Sequence, residues 1–135
     1  METLFAVRME YGVEMYYHQV IASKASPPSE AGRASDEKQA RALLESSCLE
    51  GMYCNAVFRE GSFEVENPEI ITEYDYDGIT GVQETSRYFV IFWNRSIMIS
   101  IEKAGFYRGH MEEFAAFLWK KCGKKWQRSL QEHEN

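Results

Sequence analysis

The run Glu73-Tyr74-Asp75-Tyr76-Asp77-Gly78, followed six residues later by Glu84, carries the densest potential chemistry in this chain. Oxygen donors at the first, third, fifth and twelfth positions, with glycine at the sixth, reproduce the ligand spacing of an EF-hand loop. Such a loop would hold a hard cation such as Ca²⁺. The details disagree with that use. Glu73 stands where the shorter Asp is wanted, Thr80 replaces an aliphatic residue, and both flanks read as strand rather than helix. Tyrosines alternating with acids describe a solvated strand edge, with Asp77-Gly78 as its turn. No metal is expected.

The remaining reactive residues are dispersed. His18, His110 and His133 fall in a helix, at a helix start and in a tail, and none has metal-ligand spacing with another His or a Cys. Cys48, Cys54 and Cys122 are an odd, unpatterned set, which reads as reduced and mostly buried thiols rather than a disulfide framework. Cys48 and Cys122 are expected on apolar helix faces and Cys54 in a strand. Gly78 and Gly81 are too few, and follow the wrong element, for a phosphate-binding loop. No catalytic signature and no cofactor motif emerges.

One cluster suits a surface. Lys120, Lys121, Lys124, Lys125 and Arg128 interleave with Trp119 and Trp126. Tryptophan beside cations can dock on an anionic lipid surface. The simpler reading is cations at a helix C-terminus complementing its dipole, with Trp119 in the core.

The elements that position these residues follow from hydrophobic periodicity. Thr3–Met9 reads as a strand with Phe5, Val7 and Met9 on one face. Val13–Ser23 reads as a helix with Val13, Tyr16, Tyr17, Val20 and Ile21 at helical spacing. Residues 24–36 hold Pro27-Pro28 and Gly32 and read as a linker. Ser35 or Asp36 can cap a second helix over 37–51, which Gly51 ends. From Met52 the period becomes that of strands. Residues 52–107 divide into six short β segments separated by turn residues. The last two, Arg87–Trp93 and Ser96–Ile101, form a hairpin across Asn94-Arg95. Its first strand is apolar nearly throughout, as if covered on both faces. Residues 105–109 break the pattern. A helix over 109–123 follows, with Met111, Phe114, Ala115, Leu118 and Cys122 on one stripe and Gly123 as its ending glycine. Residues 124–135 are a polar tail.

Length and composition set the frame. The chain has 135 residues, enough for one domain with a real core. Its net charge of −6 argues against nucleic-acid binding. No signal peptide is expected from its opening residues, and it shows no apolar run of the length that crosses a bilayer. The expected fold is α+β: a curled antiparallel sheet of about seven strands, closed by a C-terminal amphipathic helix, with two N-terminal helices. An open sheet with three helices on one face is the alternative.

The words Gly61-Ser62-Phe63-Glu64-Val65, Tyr88-Phe89-Val90-Ile91-Phe92 and Ile97–Phe106, with the helix Met111–Leu118, carry a family resemblance. The segment Ser62–Lys121 is similar to the C-terminal domain of the bacterial YcxB-like proteins, and Leu4–Ser23 fits their opening. Glu102 stands where those proteins commonly have proline. The resemblance implies a pleckstrin-homology-like fold and brings no catalytic residues. Similar proteins carry two transmembrane helices where Ser23–Asp36 stands here. The chain is therefore expected to be cytoplasmic, or the cytosolic-face part of an inner-membrane protein whose hairpin has been removed. The resulting expectation is a non-enzymatic binding or scaffolding module for a protein or peptide, recognised at a sheet edge or at the open end of the curled sheet. Docking on an anionic membrane surface, a small enzyme with a pocket under the sheet, and a structural homodimer are the rivals.

Overall fold

The computed structural model describes residues 2–24 and 29–126. Its strands are β1 (Phe5–Glu10), β2 (Tyr53–Phe58), β3 (Ser62–Glu66), β4 (Ile71–Asp75), β5 (Ile79–Glu84), β6 (Tyr88–Trp93), β7 (Ile97–Glu102) and β8 (Phe106–Arg108). Its helices are α1 (Val13–Lys24), α2 (Glu30–Ser47) and α3 (Met111–Cys122). The α+β expectation holds, with two refinements. The described residues form eight strands, which divide into a five-stranded sheet, β4-β3-β2-β1-β8, and a three-stranded sheet, β5-β6-β7. All pairings within the sheets are antiparallel.

The eighth strand comes from the stretch expected to break the pattern. After a 3-10 turn over Lys103–Gly105, the chain turns back along β1. Gly105 makes this approach sterically accessible: a Cβ there would lie 2.4 Å from the Arg8 carbonyl oxygen.

Alternation along the strands builds one core shared by both sheets. Phe5, Val7 and Met9 of β1 point inward beside Cys54, Ala56 and Phe58 of β2 and Phe63 of β3. α3 lies on this face. The Phe114 ring meets Phe5, Phe58, Phe89 and Phe106 at centroid distances of 5.5, 4.7, 5.6 and 5.1 Å. Leu118 and Cys122 continue the buried stripe, as the periodicity predicts. Gly123 does not end α3 in a left-handed cap; its φ is −55°, and the chain continues as a 3-10 turn over Gly123–Lys125. A Cβ at Gly123 would stand 2.9 Å from the Trp119 ring, which lies against this glycine.

The doubly apolar strand β6 is covered on both faces. Phe89 faces α3, while Tyr88 faces α1, its ring 5.1 Å from that of His18. α1 thus lies on the outer side of the small sheet, which overturns the alternative of three helices on one face. The stripe Val13, Tyr16, Tyr17, Val20 and Ile21 faces α2 at Ala40. The opposite side of α1, with Met15, His18 and Gln19, is also buried. In sequence order, the helix pair is inserted between β1 and β2, and the meander resumes after it.

The second helix begins earlier than expected. Ser29, not Ser35 or Asp36, is the N-cap: its hydroxyl accepts from the Gly32 N–H at 3.1 Å. Asp36 lies within the helix, buried, with its carboxylate 2.5 Å from Lys24 Nζ. Buried Asp36, Ala40 and Leu44 recur at every fourth residue. Cys48, with φ 60°, ends α2 ahead of Gly51. Of the linker expected over 24–36, residues 29–36 are therefore cap and helix, Lys24 closes α1, and residues 25–28 lie outside the described residues. Among the described residues, no helix is long and apolar enough to cross a membrane.

Candidate functional site

The site begins with the β3–β4 hairpin. Asn67 Oδ1 accepts from the N–H groups of Glu69 and Ile70 at 2.8 and 3.0 Å. This side-chain turn, with Pro68 inside it, fixes the tip. It leaves Ile70 60% and Ile71 58% exposed. Exposed isoleucines are common singly, but Ile70 borders a concavity.

That concavity opens where the two sheets part. It has a volume of about 240 Å³ and lies between β4 on one side and the start of β7 on the other. Tyr11, Cys54, Val65, Tyr74, Ile97 and Met98 are among its lining residues. Ile97 and Met98 are each 37% exposed, so both rims are apolar. The deep side is polar and satisfied: Gln19 Nε2 donates to Ser100 Oγ at 2.8 Å, and Asn67 Nδ2 donates to the Tyr11 hydroxyl at 3.4 Å.

The backbone at the β4 rim has free hydrogen-bonding groups. Among the described residues, β4 pairs with β3 alone and is the end of its sheet. Asn67 N–H donates to the Ile70 carbonyl at 3.0 Å, so these two form a hydrogen-bonded pair. Such pairs alternate along an antiparallel ladder. In the register Glu66↔Ile71 and Glu64↔Glu73, the N–H and C=O groups of Ile71, Glu73 and Asp75 point away from β3. Trp93 Nε1 agrees with this count, since it donates to the outward Asp75 carbonyl at 2.9 Å. Ile71 and Glu73 are left to offer backbone groups to a partner.

Burial governs the shifted titratable groups of the cleft. Burial, the largest influence, pushes the Tyr11 hydroxyl up to about 12, and burial pushes the Cys54 thiol above its ordinary value. A nucleophilic cysteine needs the opposite shift. His18 is remote from this thiol chemistry. It is buried beneath α1, with Nδ1 2.9 Å from Thr85 Oγ1 and Nε2 3.4 Å from Glu14 Oε1. Glu14 and Glu102 both engage Arg87, at 3.2 and 3.4 Å.

The acidic motif is scattered by the fold. Asp75 Oδ1 accepts from Gly78 N–H at 2.7 Å, Glu73 accepts from Ser62 Oγ at 2.9 Å, and Glu84 pairs with Lys103 at 2.7 Å. β4 and β5 flank the turn and belong to different sheets. Gly78 is there because the Trp93 indole lies against it, 2.3 Å from where a Cβ would stand. No group of three His, Cys, Asp or Glu among the described residues is placed to hold a metal ion.

The basic cluster is only partly brought together. Trp119, 56% exposed, lies 5.8 Å from Trp126, and Lys120 is exposed. Trp119 is therefore not core. Trp126 bridges Val82 of β5 and meets the Phe89 ring. Lys121 pairs with Glu60 at 3.0 Å and stands over the rings of Tyr76 and Phe117. Lys125 is half-buried. Arg128, His133, the Lys124 side chain and the tail from residue 127 lie outside the described residues. Of the cysteines, Cys54 and Cys122 are buried as expected, but Cys48 is exposed because it occupies the left-handed cap of α2 rather than its apolar face.

The sequence reading did not locate the cleft. Ile70 beside an Asn-Pro turn and the Ile97-Met98 pair are its local signals, and nothing in sequence says that they face each other. No family model, no curated protein and no solved structure matches the chain.

Proposed function

We propose that this domain is a non-enzymatic recognition module that captures an extended polypeptide segment in the cleft between β4 and β7. The observation that carries this reading is the free, outward-pointing backbone of β4 beside an apolar cleft with exposed rims. A peptide can add to such an edge through main-chain hydrogen bonds while alternate side chains enter the cleft. The raised thiol of Cys54 favours binding over nucleophilic chemistry. The resemblance to the YcxB-like proteins rests on the sequence words of Ser62–Lys121 and adds no activity of its own.

The test is selection from a random library of extended peptides, followed by titration of the selected ones. Binding is expected, and Met98→Arg at the rim should weaken it about tenfold or more, the scale of one lost apolar side-chain contact. The melting temperature of that variant should be unchanged. Failure to select any peptide, or full affinity in Met98→Arg, overturns the reading. Docking on anionic lipid is less well supported, since Lys121 is already paired with Glu60.

A further inference from the structure

The outer face of the β4 rim is acidic in a way that the fold alone does not require. Glu64 of β3 and Glu73 of β4 are directly opposite each other in the ladder. Like charges at opposed positions destabilise a sheet. Arg59 reaches Glu64 only at 3.4 Å, and Glu73 has a hydroxyl partner, Ser62, rather than a cation. Glu66 on the same face of β3, and Asp75 further along β4, extend the acidic strip. The inner face of the same edge is apolar or neutral, with Thr72 and Tyr74 lining the cleft.

We infer that the occupant of the β4 edge is an extended peptide in which apolar residues alternate with lysine or arginine. The inference rests on the recognition reading above and names its partner class. A strand added to β4 places successive side chains on opposite faces. Those on the inner side enter the cleft beside Tyr74, Ile70 and Met98. Those on the outer side stand next to Glu73, with Glu64 one strand beyond, and a cation there relieves the opposed pair of carboxylates. Ile71 and Glu73 supply the backbone partners. The same acids discriminate against wrong occupants. A second copy of this chain adding β4 to β4 would bring acidic strips together, and an acidic strand would be repelled.

The experiment uses the whole chain and three synthetic peptides in which valine alternates with lysine, serine or glutamate. Each is also made with its backbone N-methylated on the edge-facing residues. Affinity is read by calorimetry at low and at physiological salt. The lysine peptide is expected to bind tightest, to weaken with salt, and to lose binding on N-methylation. Glu73→Gln should weaken the lysine peptide roughly two- to fivefold and leave the serine peptide unchanged. Equal binding of the serine and lysine peptides, both sensitive to N-methylation, overturns the charge inference while the recognition reading stands. Lysine-peptide binding that survives N-methylation reflects attraction without strand addition and overturns the inference. Absence of binding by all three overturns the inference and the reading together. Because Glu73→Gln removes a repulsion, it should not lower the melting temperature, so lost affinity would not reflect lost folding.

Discussion

Thr85 holds the junction between α1 and the small sheet. Its hydroxyl oxygen accepts from the Tyr88 N–H at 3.0 Å, lies 3.2 Å from the Tyr88 carbonyl, and is 2.9 Å from His18 Nδ1. The residue is fully buried. Thr85→Val keeps the shape and removes the hydroxyl, leaving buried polar groups without that partner. Such a loss costs about 1–3 kcal/mol. Thr85→Val is therefore expected to unfold at a distinctly lower temperature, and Thr85→Ser should recover most of the difference. Equal melting temperatures for wild type and Thr85→Val would refute the role. This polar layer was not legible in sequence. His18 and Gln19 sit off the apolar stripe of α1, yet α1 is covered by α2 on one side and by β6 and β7 on the other.

At the scale of elements, β8 depends on one glycine. A Cβ at Gly105 meets not only the Arg8 carbonyl oxygen but also Val7 Cγ1 at 3.1 Å. The backbone of β1 cannot yield without disturbing its pairing with β2. Gly105→Ala should therefore cost about 1–3 kcal/mol, in the range of core overpacking. Gly61→Ala, with nothing within 4 Å of the added carbon, is the matched control and should melt like the wild type. Thermal denaturation of the two variants side by side decides the point. Most elements were readable because each satisfies a local rule: period two from Met52 onward, the helical stripe of α3, and the turn at Asn94-Arg95, where both residues take positive φ, 53° and 64°. The start of α2 was misplaced because Ser29 and Ser35 are both acceptable caps locally. Only the burial of Asp36 and Ala40 against α1 extends the helix back to Ser29.

The molecule as a whole should be sensitive to alkali. Burial is the largest influence on Tyr11, Tyr76 and Tyr88, and all three are raised from the ordinary tyrosine value of 10.0. Burial likewise raises Cys54 and Cys122 from 9.0. The folded chain therefore keeps these protons when the unfolded chain has begun to lose them. Their contribution to stability is complete below about pH 9 and declines as pH rises through the unfolded and then the raised folded values. The melting temperature should fall steadily above about pH 9, with ionisation of the buried Tyr11, Tyr76 and Tyr88 appearing together with unfolding rather than before it. If absorbance showed all eight tyrosines, the buried three included, ionising near pH 10 in a still-folded chain, the prediction would fail.

The sequence by itself determined the composition of the core, the compact α+β class and the kinds of element, because these follow from short-range periodicity and turn chemistry. It also pointed away from an EF-hand, since Glu73 to Glu84 lies between β-type flanks. Tertiary structure alone decided what the exposed residues face. Ile70 and Met98 lie far apart in the chain, and only the divergence of the two sheets makes them rims of one cleft. The alternating acids of Glu73–Asp77 hint at a solvated strand edge, but whether β4 has a second neighbour depends on sheet order, and sheet order is a property of long-range pairing rather than of any local run of residues.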